Sequence, residues 1–113
     1  RARTRTYDRP GTPNELQMAD LSLNRLTRVV KRGGQEIEMT SKEFTLLEFL
    51  LQHPNQVLSR TQIGEQVWGY DFYNQSNIVD VYVGYLRRKI DDGRPLQLIR
   101  TVRGAGYRLS ADA

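Results

Sequence analysis

Between residues 76 and 91 the chain reads SNIVDVYVGYLRRKID, and no other stretch limits the possible folds as tightly. Advancing ~100° per residue, Val79, Val83, Leu86 and Ile90 fall within one narrow arc. Such a stripe needs a core to lie on. Asn77, Val81, Gly84 and Arg88 fall roughly opposite, flanked by Asp80, Tyr85 and Arg87. A helix face meeting only water normally carries charge throughout. This one mixes a small polar residue, a glycine, an aromatic ring and arginines, which suits a face laid against another surface. The β-branched run IVDVYV also has the composition of a strand. Four apolar anchors at helical spacing, with Asn74 and Ser76 as candidate N-caps, favour a helix over 76–91.

A chain of 113 residues is long enough for one domain with a real core. It has no cysteine, which excludes disulfides and thiolate-bound metals. His53 is the only histidine, so a histidine-based metal cluster or catalytic pair has no second member. No apolar run approaches the ~18 residues of a membrane span, and no signal-peptide pattern opens the chain. A start at RARTRT without methionine is expected of a piece of a longer, soluble, cytoplasmic protein. The net charge is +4, and its placement says more than its size: residues 77–108 carry seven Lys or Arg against three Asp or Glu, whereas residues 10–76 carry six against eight. A basic patch of this kind attracts polyanions and steers their approach. Ordinary solvated lysines and arginines would give the same net charge.

Residues 1–14, with two prolines, a glycine and four arginines, read as a linker or arm. From Leu16 to Met39 short alternating runs predict a small antiparallel sheet of three or four strands, with turns at Asn24-Arg25 and at Gly33-Gly34. Thr40 and Glu43 have capping-box spacing and open a first helix, whose buried stripe is Phe44, Leu47, Leu50 and Leu51 and which Pro54 ends. Ser59 and Gln62 repeat that spacing and open a second, shorter helix carrying Ile63, Val67 and Trp68. Both helix starts direct free N–H groups outward, a geometry suited to phosphate oxygens that Lys42 and Arg60 would reinforce. Capping alone accounts for the Ser and Thr equally well. Residues 68–75, WGYDFYNQ, hold four aromatics in a connection too long for a minimal helix-turn-helix. Most are expected to plug the edge of the core, with Tyr70 and Tyr73 exposed. After the break at DDGRP, residues 98–109 alternate around RGAG and predict a β-hairpin with Arg103 at its tip. Its GAG precedes a strand rather than a helix, so the dinucleotide fingerprint fails on context. Residues 111–113 are a tail.

A capped helix, a second helix, a two-faced third helix and a basic hairpin, in that order, describe an α+β winged helix-turn-helix. Residues 15–110 would form the domain, helix 76–91 would enter a major groove, and the hairpin would be the wing. The stretches TSKEFTLLEFLLQHPNQVLSRTQI, VW, NIVDVYVGYLRRKID and LIRTVRGAGYRL resemble the DNA-binding effector domain of OmpR/PhoB-type bacterial response regulators across residues 16–109. The resemblance implies an N-terminal four-stranded sheet, three helices and a C-terminal hairpin. It further implies double-stranded DNA as partner, in tandem direct repeats, bound by head-to-tail dimers. Residues 68–75 would be the loop that contacts RNA polymerase, through Gly69, Tyr70, Asp71, Tyr73 and Asn74. Residues 1–14 resemble the end of a receiver domain plus its linker, so phosphorylation control would lie in a receiver outside this chain.

Carried over by position, Asn77, Asp80, Val81, Gly84, Tyr85 and Arg88 would face the bases. Trp68, Tyr82, Arg87, Thr101 and Tyr107 would lie near phosphates, with Arg103 at the wing tip; the helix-start geometry adds Lys42, Ser59 and Arg60 to that set. Several family members carry arginines where this chain has Gly84 and Tyr85, so their base preferences do not transfer. Two other function classes remain to be weighed. A protein-interaction winged helix would use the same tyrosines and arginines on a protein partner. An enzyme is the weakest reading: no nucleophile has a base partner, and Glu36, Glu38, Asp91 and Asp92 read as solvated strand-edge and turn charges.

Overall fold

The computed structural model describes residues 14–111. The arm expected over 1–14 falls almost wholly outside the described residues, as do tail residues 112–113. Four short strands come first: β1 (Glu15–Met18), β2 (Leu21–Asn24), β3 (Val30–Arg32) and β4 (Gln35–Ile37), paired antiparallel in the order 1-2-3-4. Gly33 and Gly34, at φ +61° and +82°, make the mirror-image turn that the right-handed twist of a hairpin favours. The first hairpin turns at Ala19-Asp20, because Met18 pairs with Leu21. Beyond β2, the Asn24 side-chain oxygen accepts from the amides of Leu26 and Thr27, so Asn24 does start a turn. Leu21, Leu23, Val30 and Arg32 face inward.

Helix α1 spans Ser41–Gln52 and α2 Arg60–Trp68. Each begins with a complete capping box, Thr40 with Glu43 and Ser59 with Gln62, so two orphan donors are satisfied at each start. Phe44, Leu46, Leu47, Leu50 and Leu51 bury one side of α1 against the sheet, α2 and the later helix. The connection after α2 is a 3₁₀ helix, Gly69–Asn74, rather than an open loop. Its Phe72 ring lies over Gly64, where a Cβ would stand 2.2 Å from Phe72 Cδ1. That contact pins the segment to α2.

Helix α3 spans Ile78–Leu86 and continues as a π-helical turn over Arg87–Asp91. It starts two residues later than expected. Asn77 occupies the N-cap position and makes no side-chain capping bond, and neither Asn74 nor Ser76 caps it. Val79, Val83, Leu86 and Ile90 are all buried, as their spacing requires. In a continuous α-helix Asp91 would point ~140° away from Leu86. The wider i→i+5 turn, closed by the Asp92 amide on the Arg87 carbonyl, advances less per residue and brings Asp91 back to the buried side. Asp91 is therefore 1% exposed and no solvated turn charge. It accepts from the amides of Leu98 and Ile99 and from Arg32 Nη1, each at 3.0 Å. Arg32 also donates to Asp20 and to the carbonyls of Ile90 and Leu96. This buried pair ties the sheet, the end of α3 and the approach to the wing into one body.

The wing consists of β5 (Ile99–Val102) and β6 (Gly106–Leu109), antiparallel. Leu58, just ahead of α2, bridges Tyr107 through two backbone hydrogen bonds of 2.8 and 2.9 Å. Gly106, at φ +144°, makes that approach possible, since a Cβ there would lie 2.0 Å from the Leu58 carbonyl oxygen. Its close approach is thus to the protein's own backbone. Only Gly104, at φ +76° with open space around it, belongs to the free tip.

Candidate nucleic-acid interface

One continuous surface is built from the start of α2, the outer side of α3 and the wing. Three hydrogen-bonded links hold these parts together. Arg60 Nε in α2 donates to Asp80 Oδ1 in the first turn of α3, at 2.8 Å. The Tyr107 hydroxyl of β6 donates to the same oxygen. At the other end of α3, Arg87 donates to the Ile99 carbonyl and to the Thr101 hydroxyl, so the helix is bonded to β5. Arg87 also lies 5.6 Å from the centre of the Tyr107 ring.

Burial pushes the Asp80 carboxyl up, but the hydrogen bonds from Arg60 and Tyr107 outweigh it and leave the group below its ordinary value of 3.8. Burial and then the Asp80 carboxylate push the Tyr107 hydroxyl up. The surface therefore carries a charged Asp80 and a neutral Tyr107 at physiological pH. Their electrostatic setting is fixed by one another.

Along α3, Asn77, Val81, Tyr85 and Arg88 are exposed, and Asp80 and Gly84 are half-exposed. Val81 and Tyr85, 36% and 39% exposed, form an apolar pair one turn apart on an outward surface. Arg88 stands 5.8 Å over the Tyr85 ring. The Tyr85 ring meets Tyr82 edge-on at 5.2 Å, and Tyr82 meets Trp68 in the same way at 5.2 Å. This aromatic row limits the rotamers open to Tyr85 and offers Arg88 a cation–π partner. Between these side chains, a Cβ built on Gly84 would meet nothing within 4 Å. A shallow place is thus left in the middle of the face.

Arg103 is exposed at the wing tip. Ser59 is spent on capping, and its neighbours at the start of α2 keep an exposed position. Lys42 stands apart: its Nζ donates to the Val67 carbonyl at 2.9 Å, at the far end of α2 from Arg60. Its ammonium stabilises a helix C-terminus there. Gly69, Tyr70 and Tyr73 form another surface with Glu65, lining a hollow of about 370 Å³. Tyr70 is 92% exposed, and the Tyr73 hydroxyl donates to Glu65. Asp71 and Asn74 are exposed beside them. Phe72 is buried, in line with the expected division of the aromatics.

Arg32 and Asp91 were missing from the expected set, although they position α3 against the wing. A signal for Arg32 was present: it shares the inward phase of Val30 on a short strand, and an inward arginine demands a buried acceptor. Asp91 gave no such signal, since its direction depends on the π-helical turn.

A family model described as "Transcriptional regulatory protein, C terminal" matches residues 34–109. Response regulator MprA of Mycolicibacterium vanbaalenii is 49% identical over 106 residues, covering 93% of this chain and 46% of that protein. The chain spans about half the length of the curated relatives it matches. Among solved structures, the DNA-binding domain of CpxR from E. coli superposes with a TM-score of 0.75 at 35% identity, covering 90% of this chain and 100% of that one. The Klebsiella pneumoniae RstA DNA-binding domain, solved in complex with the RstA box, superposes with a TM-score of 0.77 at 26% identity, covering 87% and 98%.

Proposed function

The chain belongs to the C-terminal domain family of transcriptional regulatory proteins, of the OmpR/PhoB type, and from that premise we propose that it binds double-stranded DNA sequence-specifically and regulates transcription as the effector domain of a two-component response regulator. The observation that carries this reading is the outer side of α3. Exposed Val81, Tyr85 and Arg88 share the outward side of the helix with the open position at Gly84, and Arg60 and Arg87 bond that helix to its neighbours α2 and β5. A major groove is about the width of one helix and admits such an element. The family is a class of transcriptional regulators rather than of enzymes.

In this reading residues 15–110 are the DNA-binding unit, and Asn77, Asp80, Val81, Gly84, Tyr85 and Arg88 meet base edges. Arg88 has the two-pronged donor geometry for a guanine, and the Tyr85 ring and Val81 suit thymine methyl groups. Ser59, Arg60, Trp68, Tyr82, Arg87, Thr101 and Tyr107 flank the groove near phosphates. Arg103 reaches the backbone or the adjacent minor groove. Lys42 contributes to the surrounding positive potential from its place at the end of α2. Arginine–phosphate contacts release counterions and supply affinity, while α3 supplies preference among sequences.

The finer partners follow from the same family. Tandem direct repeats would be occupied by a head-to-tail pair of copies, and an N-terminal receiver domain in the full-length protein would control that pairing. The hollow between Glu65, Gly69, Tyr70 and Tyr73, with Asp71 and Asn74 beside it, would face RNA polymerase; its exposed tyrosines support a protein partner. A cytoplasmic location agrees with this role, and among the described residues no helix is long and apolar enough to cross a membrane.

Fluorescence anisotropy with a labelled duplex tests the proposal. Binding at 50 mM salt that weakens steeply by 200 mM is expected. No binding at either concentration would leave a winged helix that serves a protein partner instead.

A further inference from the structure

Arg60 occupies a position from which a cation would ordinarily grip phosphate: exposed, in the first turn of a helix whose N-terminus carries partial positive charge. Its guanidinium is nevertheless already engaged. Nε donates to Asp80 Oδ1 at 2.8 Å, and that oxygen is fixed from the protein side by the Tyr107 hydroxyl. Tyr107 is in turn held rigidly: its side chain is buried and its backbone exchanges two hydrogen bonds with Leu58. Asp80 therefore cannot easily swing away. It remains ionised, because the bonds from Arg60 and Tyr107 outweigh the effect of burial. An anion has thus been built into the surface that meets a polyanion.

Resting on the DNA-binding reading above, we propose that Asp80 is a specificity-determining residue that restrains Arg60 and so keeps affinity for random-sequence DNA low. Non-specific affinity grows with the number of phosphates that the protein neutralises. A cation already paired with a fixed carboxylate contributes less to that number. In the groove, a fixed acceptor is matched only by an amino group, cytosine N4 or adenine N6, and is opposed by the acceptors guanine O6 and thymine O4. The restraint therefore costs affinity on most sequences and is offset on the matching one. Asp80 widens the gap between right and wrong sites chiefly by weakening the wrong ones.

The test uses the whole chain, a random-sequence duplex and the duplex enriched by selection, titrated between 50 and 200 mM salt. Asp80→Asn keeps the shape and an acceptor for Tyr107 while removing the charge. Affinity for the random duplex should rise roughly five- to tenfold near 0.1 M salt, with the log–log salt slope steeper by about 0.9, the signature of one more phosphate contact. Affinity for the selected duplex should gain less or fall, so the specificity ratio narrows. With Arg60→Ala already present, Asp80→Asn should change random-duplex binding little.

An unchanged random-duplex slope in Asp80→Asn would overturn the proposal. So would a parallel loss on both duplexes, which would make Asp80 a purely structural residue; thermal unfolding of the variant shows that case directly. Equal gains with and without Arg60 would also overturn it, since Asp80 would then act by its own charge alone. Wild-type protein that binds neither duplex would refute the DNA-binding reading itself, a different failure.

Discussion

Asp91→Ala should be among the most damaging single substitutions in this chain. The side chain is 1% exposed, its partner Arg32 is 2% exposed, and the carboxylate accepts three hydrogen bonds, two of them from the backbone amides of Leu98 and Ile99. Breaking a buried ion pair by removing one member costs about 3–5 kcal/mol, because the remaining charge is left uncompensated. Each buried amide that loses its acceptor adds about 1–3 kcal/mol. The two costs overlap, since water admitted to the gap serves both, and about 4–6 kcal/mol is a fair expectation for the whole. A domain holds only about 5–15 kcal/mol in total. Urea denaturation followed by circular dichroism gives the measurement. With a slope of about 1–3 kcal/mol per molar, the midpoint should fall by roughly 1.3 M or more. Arg32→Met, alone and combined with Asp91→Ala, completes a cycle in which the double variant should cost less than the sum by about 1–3 kcal/mol. A loss below about 1 kcal/mol for Asp91→Ala, or strict additivity, would mean that the pair does not hold the sheet to the end of α3.

Gly84→Ala should stabilise the protein, because the added methyl meets nothing within 4 Å and alanine gains about 1 kcal/mol over glycine inside a helix; the melting temperature should rise by about 4–8 °C. A fall in DNA affinity of the same variant would show that the duplex occupies the space Gly84 leaves. Gly106→Ala should do the reverse, since its Cβ would stand 2.0 Å from the Leu58 carbonyl oxygen at φ +144°; a melting temperature equal to wild type would contradict that contact. Glu43 is pushed up by burial but pulled down further by Lys89 and the Thr40 amide, so its folded value lies below 4.5. Its stabilisation is present above pH 4.5 and is lost as pH falls through that lower value, and Glu43→Gln should flatten the stability curve in this acid window. Arg103→Ala should weaken binding to most duplexes alike and reduce the salt slope by about 1; a change confined to particular base pairs would instead make the wing a reader of sequence.

The parts of the fold legible from sequence are those whose causes lie within a few residues. Thr40 with Glu43 and Ser59 with Gln62 bond across three positions, so both helix starts could be read directly. Gly33-Gly34 dictates its own turn, and the stripe Val79, Val83, Leu86, Ile90 needed only helical spacing. The illegible parts depend on residues far apart in the chain. Arg32 meets Asp91 across 59 positions, and Gly106 is explained only by Leu58. Asp91 reads from sequence as a solvated turn charge, and only the π-helical turn, which no local pattern announces, carries it to the buried side. Within the candidate site, sequence identified the exposed residues of α3 and the wing tip. It missed that Arg60, Asp80 and Tyr107 are already joined, because side-chain pairing between separate elements leaves no periodic trace.

If the outer side of α3 reads DNA sequence, selection from a pool of randomised duplexes will reveal its preference. Wild-type protein should enrich a short motif, repeated at about one helical turn where two copies bind side by side. Parallel selections with Arg88→Ala and Tyr85→Ala should change preference at particular positions within that motif, by ~1–3 kcal/mol where Arg88 makes a two-pronged contact. Enrichment of the same motif with the same preferences by both variants, or no enrichment by the wild type, would mean that α3 does not read sequence.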